Sequence, residues 1–191
     1  MDTLLLSIRA VLLGVVGAGL AWPVATALLG SVVFPEAAEG SLLRRGDEVV
    51  VGSALVGQRF VHPGYLRGRP SAANHDPRAA AGSNAAASNP ALRDRVQADA
   101  AALAASTGTV IGAAPPEALA ASGSGLDPHI SPAHASMQVG RVAATRGVSS
   151  AQVEAVLAEY TERGLLAPPR INVLRVNLAL DAAHPLPGSA P

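Results

Sequence analysis

AVLLGVVGAGLAWPVATALLGSVV, Ala10 to Val33, is an apolar run of about 24 residues that carries no charge. An α-helix needs roughly 20 such residues to cross a bilayer, so this run is long enough to span one. The remainder of the chain is soluble in character. The predicted organisation is an N-terminal flank over 1–9, a transmembrane helix over 10–33, a soluble domain over 34–183 and a proline-rich, frayed tail over 184–191. The fold class is an α+β mixed soluble domain preceded by one N-terminal transmembrane helix. A lone helix of this kind tethers a domain and is too simple to form a pore.

A cleaved signal peptide is the rival reading of the same run. Arg9 would be its basic flank and Ala25-Thr26-Ala27 its small-x-small site. The run continues past that site through Leu28, Leu29, Val32 and Val33, longer than the 7–15 residues usual for a signal core, which favours a retained span. Ala10, Gly14, Ala18, Ala21 and Ala25 recur at helical spacing, with Gly17 beside them. Small residues let a second helix approach closely, where van der Waals packing drives association in lipid. An alanine-rich chain also produces such a stripe by composition alone. Pro23 is expected to kink the helix. Arg9 on one side, against Glu36 and Glu39 before Arg44 and Arg45 on the other, favours an inside amino terminus and an outside domain.

Composition narrows the function classes. The chain has 191 residues, of which 49% are hydrophobic and only 3% aromatic. Its core must therefore be built from Val, Leu and Ala. Fourteen basic residues balance 14 acidic ones, so no charge excess argues for nucleic acid. Cysteine is absent, which removes disulfides and thiolate metal sites.

Glu48-Val49-Val50-Val51 predicts a strand, interrupted by Gly52-Ser53 and resumed by Ala54-Leu55-Val56 and by Gln58-Arg59-Phe60-Val61. From His62 to Ala87 the composition predicts a long irregular connection. Three helices carry start signals. Asn89-Pro90 caps the first, with Leu92, Val96 and Leu103 inward and Asp94, Arg95 and Asp99 outward. Ser131-Pro132 starts the second, with Ala135, Val139, Val142 and Ala143 on one face. His134, Gln138, Arg141 and Thr145 lie on the other as a solvent or partner face. Ser149 and Gln152 make a capping box for the third, with Val148 and Val153 as a staple. Val153, Val156, Leu157 and Tyr160 are its buried stripe, and Gly164 its C-terminal stop. Leu174, Val176, Leu178 and Leu180 alternate with Arg175, Asn177 and Ala179, the pattern of a half-buried strand.

The polar segment Ser122-Gly123-Ser124-Gly125-Leu126-Asp127-Pro128-His129-Ile130-Ser131 offers several chemistries. It lacks a Gly-Lys-Ser/Thr phosphate loop. Ser124, Asp127 and His129 have the residue types of a hydrolytic triad, without the strand-turn-helix context of a nucleophile elbow. A tethered or secreted hydrolase on these residues is the alternative function. The plain reading is a structured turn, Asp127-Pro128 opening it and Ser131-Pro132 launching the next helix. His62, His75, His129, His134 and His184 show no metal-site spacing.

VGSALVGQRF (51–60), RPSAA (69–73), GSN (82–84), NPAL (89–92), SGSGLDPHISPAHA (122–135), QVGRVAATR (138–146) and INVLRVNLALD (171–181) occur in order behind the single apolar run. Together they resemble the KdpC family, the accessory subunits of the Kdp potassium-transporting P-type ATPase. Ala81 and Ala85-Ala86-Ala87 depart from the usual glycine and Leu-Gly-Pro-like pattern around GSN, which bears on that loop's conformation.

The resemblance implies a non-catalytic subunit of an ATP-driven potassium importer, held in the plasma (inner) membrane. Its partners would be an ion-selecting channel-like subunit, an ATP-hydrolysing P-type subunit and membrane lipid, with no nucleic acid. ATP and potassium would be handled by the complex, with no cofactor or metal held by this chain alone. The family's role is assembly and tuning of the ATPase, described as a catalytic chaperone that raises nucleotide affinity. An outside domain cannot touch cytoplasmic ATP, so indirect coupling and a cap near the extracellular mouth of the ion-selecting subunit fit best. Candidate contact or motif residues are Gln58, Arg69, Asn84, Ser124, Asp127, His129, Gln138, Arg141, Arg146, Asn172 and Asn177. The helix-packing candidates are Ala10, Gly14, Gly17, Ala18, Ala21 and Ala25.

Overall fold

The computed structural model describes residues 2–46, 49–108 and 110–188. The chain divides between Leu42 and Leu43 into two compact units.

In the first unit, helix α1 (Asp2–Gly14), a π-helical stretch (Val15–Ala21) and helix α2 (Trp22–Val33) run on as one helix of 32 residues. Among the described residues it is the one helix long and apolar enough to cross a membrane, and none of its residues is buried. Pro23 has no N–H to give the ladder. Just before it, the Trp22 N–H reaches back to the Gly17 carbonyl, five residues away. The wide turn is the helix's accommodation at this point. A short helix, α3 (Pro35–Ala38), comes next.

Strand β1 (Leu42–Arg45), in the second unit from Leu43 onward, pairs with β2 (Val49–Ser53). Glu48, expected to start the strand, lies outside the described residues. The strand also stops earlier than its valine pattern suggests. Ser53 Oγ accepts the Leu55 N–H at 3.0 Å, and the Ser53 carbonyl accepts the Val56 N–H. A serine that captures nearby backbone donors favours a turn over a ladder. Residues 57–61 are irregular, and the Gly57 N–H is taken by the Leu126 carbonyl at 2.7 Å.

Helix α4 (Pro90–Thr107) begins at the expected cap, with Asn89 Oδ1 accepting from Ala91 N–H, and ends on left-handed Gly108. It packs lightly: Ala100 is its one buried residue, while Leu92, Val96 and Leu103 are half-buried. Arg95 and Asp99 are half-buried too and pair at 2.5 Å.

The second predicted helix is two. Helix α5 (Pro132–Ser136) carries the Ser131 cap, and helix α6 (Val139–Arg146) closes on left-handed Gly147. Helix α7 (Ser150–Glu159) has its capping box in both directions. It buries Val153, Val156 and Leu157, whereas Tyr160 is 37% exposed at the helix end. Gly164 is not its stop; it lies in the loop between β4 (Thr161–Glu162) and β5 (Arg170–Asn172).

The expected strand at 174–180 is helix α8 (Val173–Ala183). Asn172 Oδ1 caps it by accepting the Arg175 N–H at 3.1 Å. Val173, Leu174, Val176, Asn177 and Leu180 then form the buried face at helical spacing. The strand β3 (His129–Ile130) and β4 flank β5 in an antiparallel sheet. His129 stands opposite Asn172 and Thr161 opposite Ile171. The core gathers Ile130, Val139, Val142, Val153, Val176 and Leu180. Leu66, from the long irregular connection, inserts among them fully buried.

Candidate functional site

The motif-borne polar residues form three connected braces inside the second unit. The first holds the backbone of the long connection. Asn177, on α8, accepts the Leu66 N–H at 2.8 Å and donates to the Leu66 carbonyl at 2.9 Å. Gln138, at the start of α6, does the same to Arg67, accepting its N–H at 2.9 Å and donating to its carbonyl at 3.0 Å. Two side-chain amides thus play the part of a neighbouring strand. They satisfy four backbone groups that burial would otherwise leave costly. Asn172 extends the pattern, donating to the buried Ala54 carbonyl at 2.7 Å. Gln58, half-buried, donates to the Val51 carbonyl.

This covering segment corrects the expected solvent face of 134–145. His134 and Gln138 are 3% and 2% exposed. Arg141 is half-buried, donating to the carbonyls of Pro63 and Tyr65 and to Gln138 Oε1. Burial, with Arg67 nearby, pushes the Arg141 pKa down to about 10. The chain at 62–67 lies over the face that helical spacing marks as polar.

The second brace is centred on Arg146, whose side chain is completely buried. Its guanidinium donates to the carbonyls of Gly64, Leu180 and His184 and to Asp181 Oδ1 at 3.0 Å. It also sits 5.2 Å from the centre of the Tyr65 ring. Tyr65 donates its hydroxyl to Asp181 Oδ2 at 2.9 Å, and Arg45 reaches the same oxygen. Burial and then Asp181 raise the Tyr65 pKa, so the phenol stays protonated. Tyr65 and Asp181 were outside the candidate set. A tyrosine in a chain so poor in aromatics was the available signal.

The third brace shapes residues 122–129. Ser122 Oγ accepts the N–H groups of Gly125 and Asp127. Ser71 donates to the Gly125 carbonyl at 2.7 Å. Arg69 pairs with Asp127 at 2.9 Å and reaches the carbonyls of Ala120 and Ala121. Gly125 has φ +72°, and a Cβ there would lie 2.7 Å from the Ala81 carbonyl oxygen. A Cβ at Gly57 would meet the Asp127 carbonyl oxygen at 2.6 Å. RPSAA, VGQRF and SGSGLDP are thus one folded knot.

The triad types do not line up in it. Ser124 Oγ accepts the Leu126 N–H and neighbours Ser122 Oγ. Asp127 Oδ1 accepts the His129 N–H at 3.0 Å and lies 3.8 Å from His129 Nδ1. Among the described residues no hydrogen bond joins Ser124 to His129. Burial lowers the His129 pKa against the opposing pull of Glu162. Asn84 stands apart from the braces, exposed and left-handed at φ 49°.

In the first unit, Ala10, Gly14, Gly17, Ala18, Ala21 and Ala25 are all exposed, and a Cβ at Gly14 or Gly17 would meet nothing within 4 Å. The π-helical stretch interrupts their regular 3.6-residue spacing between Gly14 and Trp22.

A family model described as K+-transporting ATPase, c chain, KdpC, matches residues 4–182. This chain belongs to the KdpC family. A potassium-transporting ATPase KdpC subunit of Xanthomonas campestris pv. campestris is 50% identical over 170 residues, covering 87% of this chain and 81% of that protein. The KdpC subunit of Caulobacter vibrioides is 47% identical over 172 residues, covering 87% and 86%. That of Shewanella putrefaciens is 47% identical over 156 residues, covering 80% and 78%. The KdpC match covers nearly all of the apolar helix and the side chains that form the three braces.

Proposed function

We propose that the chain is a membrane-tethered accessory subunit of an ATP-driven potassium importer, and that it supports assembly and tunes the ATP-hydrolysing subunit from a distance. One observation carries this reading. The chain matches the KdpC family over residues 4–182, from the apolar helix through the domain. The internal braces add to it. Gln138, Arg146, Asn172 and Asn177 are each at most 4% exposed and spend their polar atoms on the domain's own backbone and side chains. A rigid domain on a tether suits docking.

In this reading the exposed small residues of the helix meet a larger subunit, and the domain lies outside, near the mouth of the ion-selecting subunit. Influence on nucleotide affinity is then a coupling free energy carried through the assembled complex. Isolation of the tagged chain from membranes should bring an ion-selecting and an ATP-hydrolysing subunit with it. Gly14→Leu should reduce that recovery severalfold, since a bulky side chain keeps helices apart. Undiminished recovery would count against helix packing at this face. The chain has no cysteine, so Glu159→Cys offers a clean site for orientation. A membrane-impermeant maleimide should label it in intact cells; labelling only after lysis would reverse the topology.

A further inference from the structure

Leu165 and Leu166 are 99% and 98% exposed, more than any other large apolar side chain among the described residues. They stand in the loop that joins β4 to β5, where every residue from 163 to 169 is exposed. Single apolar residues on a surface are ordinary, but adjacent ones held out into water mark a contact site.

The loop is braced at its base. Glu162 and Arg170 face each other across the two strands, and their side chains pair at 2.9 Å. Thr161 Oγ1 donates to the Leu157 carbonyl, which ties β4 to the end of α7. Ile171, opposite Thr161, is 1% exposed and roots the returning strand in the core. Pro168 and Pro169 fix two φ angles on that side. Pre-ordering of this kind lowers the entropy that a contact must overcome.

An anionic bilayer surface, a second copy of this chain and a protein partner compete to cover the pair. Charge disfavours the bilayer. From Ser150 to Arg170 the carboxylates of Glu154, Glu159 and Glu162 stand against Arg163 and Arg170, whereas segments that settle on such a surface are basic. Area disfavours the second copy. Two leucines supply a fraction of the roughly 800 Å² per partner that a free-standing interface needs. A contact so small holds when another attachment already keeps the partners together, and the 32-residue apolar helix supplies one.

We propose that Leu165 and Leu166 are a docking anchor, seated together in an apolar pocket of the ion-selecting subunit. This rests on the accessory-subunit reading above, which puts that subunit beside the domain.

The test places a genetically encoded benzophenone amino acid at the position of Leu166 in the full tagged chain. Membranes are irradiated and the adduct is identified by mass spectrometry. An adduct with the ion-selecting subunit is expected, and none from the same group in place of Arg93, an exposed residue of α4. Leu165→Ser with Leu166→Ser should lower recovery of the ion-selecting subunit about tenfold or more after detergent washing. The thermal midpoint of that variant should match the parent's, because both side chains are exposed. Leu165→Met with Leu166→Met should keep parental recovery, since methionine fills an apolar pocket as well. An adduct with lipid alone, with a second copy of this chain or with the ATP-hydrolysing subunit would overturn the proposal. So would equal adducts from the two positions, or a serine double variant recovered like the parent. If the parent isolates without an ion-selecting subunit, the accessory reading falls and the anchor with it. If that subunit comes along and the benzophenone at 166 stays unlinked, the anchor alone falls.

Discussion

Gln138 and Asn177 each bond both backbone groups of one residue, Arg67 and Leu66. An irregular segment can enter a core only if its backbone polar groups find partners, and these amides are the partners. Asn177→Ala removes both bonds and leaves two groups at buried Leu66 unmet. A loss of about 2–4 kcal/mol is expected, measured by denaturant unfolding of the full chain in detergent. Arg146→Met should cost about 3 kcal/mol or more by the same measurement, because it strands several carbonyls and one partner of Asp181 at a buried site. In the sequence these residues stood out only as members of the ordered motifs, with Gln138 and Asn177 read as parts of polar faces. Their targets were not legible, since Leu66 is 111 positions from Asn177.

Elements with local punctuation were the ones that reading the chain recovered. Helix α7 announces itself through Ser149, Gln152 and Val148: the first two make the expected capping box, and Val148 packs against the core cluster that includes Val153. Ser149→Ala should lower stability by about 1 kcal/mol, seen as a reduced thermal midpoint. Helix α8 went the other way. Its alternation of Leu and Val with polar residues fits a strand, but the cap at Asn172 and a core on one side favour the helix. Asn177, outward in a strand, is inward in the helix. The break between α5 and α6 was equally hidden, because both halves share one apolar face. The knot at 122–129 depends on glycine. Gly125→Ala should cost about 1–3 kcal/mol through its left-handed φ and the nearby Ala81 carbonyl, and should loosen the Arg69–Asp127 pair. Proteolytic nicking near residue 125 would report it.

For the whole molecule, acidity should act through two histidines, His134, which is buried, and His129, which is half-buried. His134 has its pKa lowered from 6.5 by burial, against Glu117 and with Arg69 assisting. His129 is lowered by burial too, facing Glu162, Asp127, Arg170 and Arg175. A depressed folded pKa means that the unfolded chain takes up protons first. Their contribution is therefore complete above the ordinary value of 6.5 and declines as pH falls through the folded values. The thermal midpoint should be lower at about pH 5.5 than at about pH 7.5, and His134→Gln should narrow the gap. An unchanged gap would remove His134 from the account.

Composition and short-range order were enough to establish an apolar helix of spanning length, a mixed domain, the capped starts of α4, α5 and α7, and family membership through ordered motifs. Those properties reside in neighbours a few positions apart, or in motif content that needs no coordinates. The braces, the burial of His134 and Gln138, and the helical state of α8 came from folding. Each depends on which distant segment covers a given face, and that choice is made by burial and hydrogen-bond satisfaction over the whole domain.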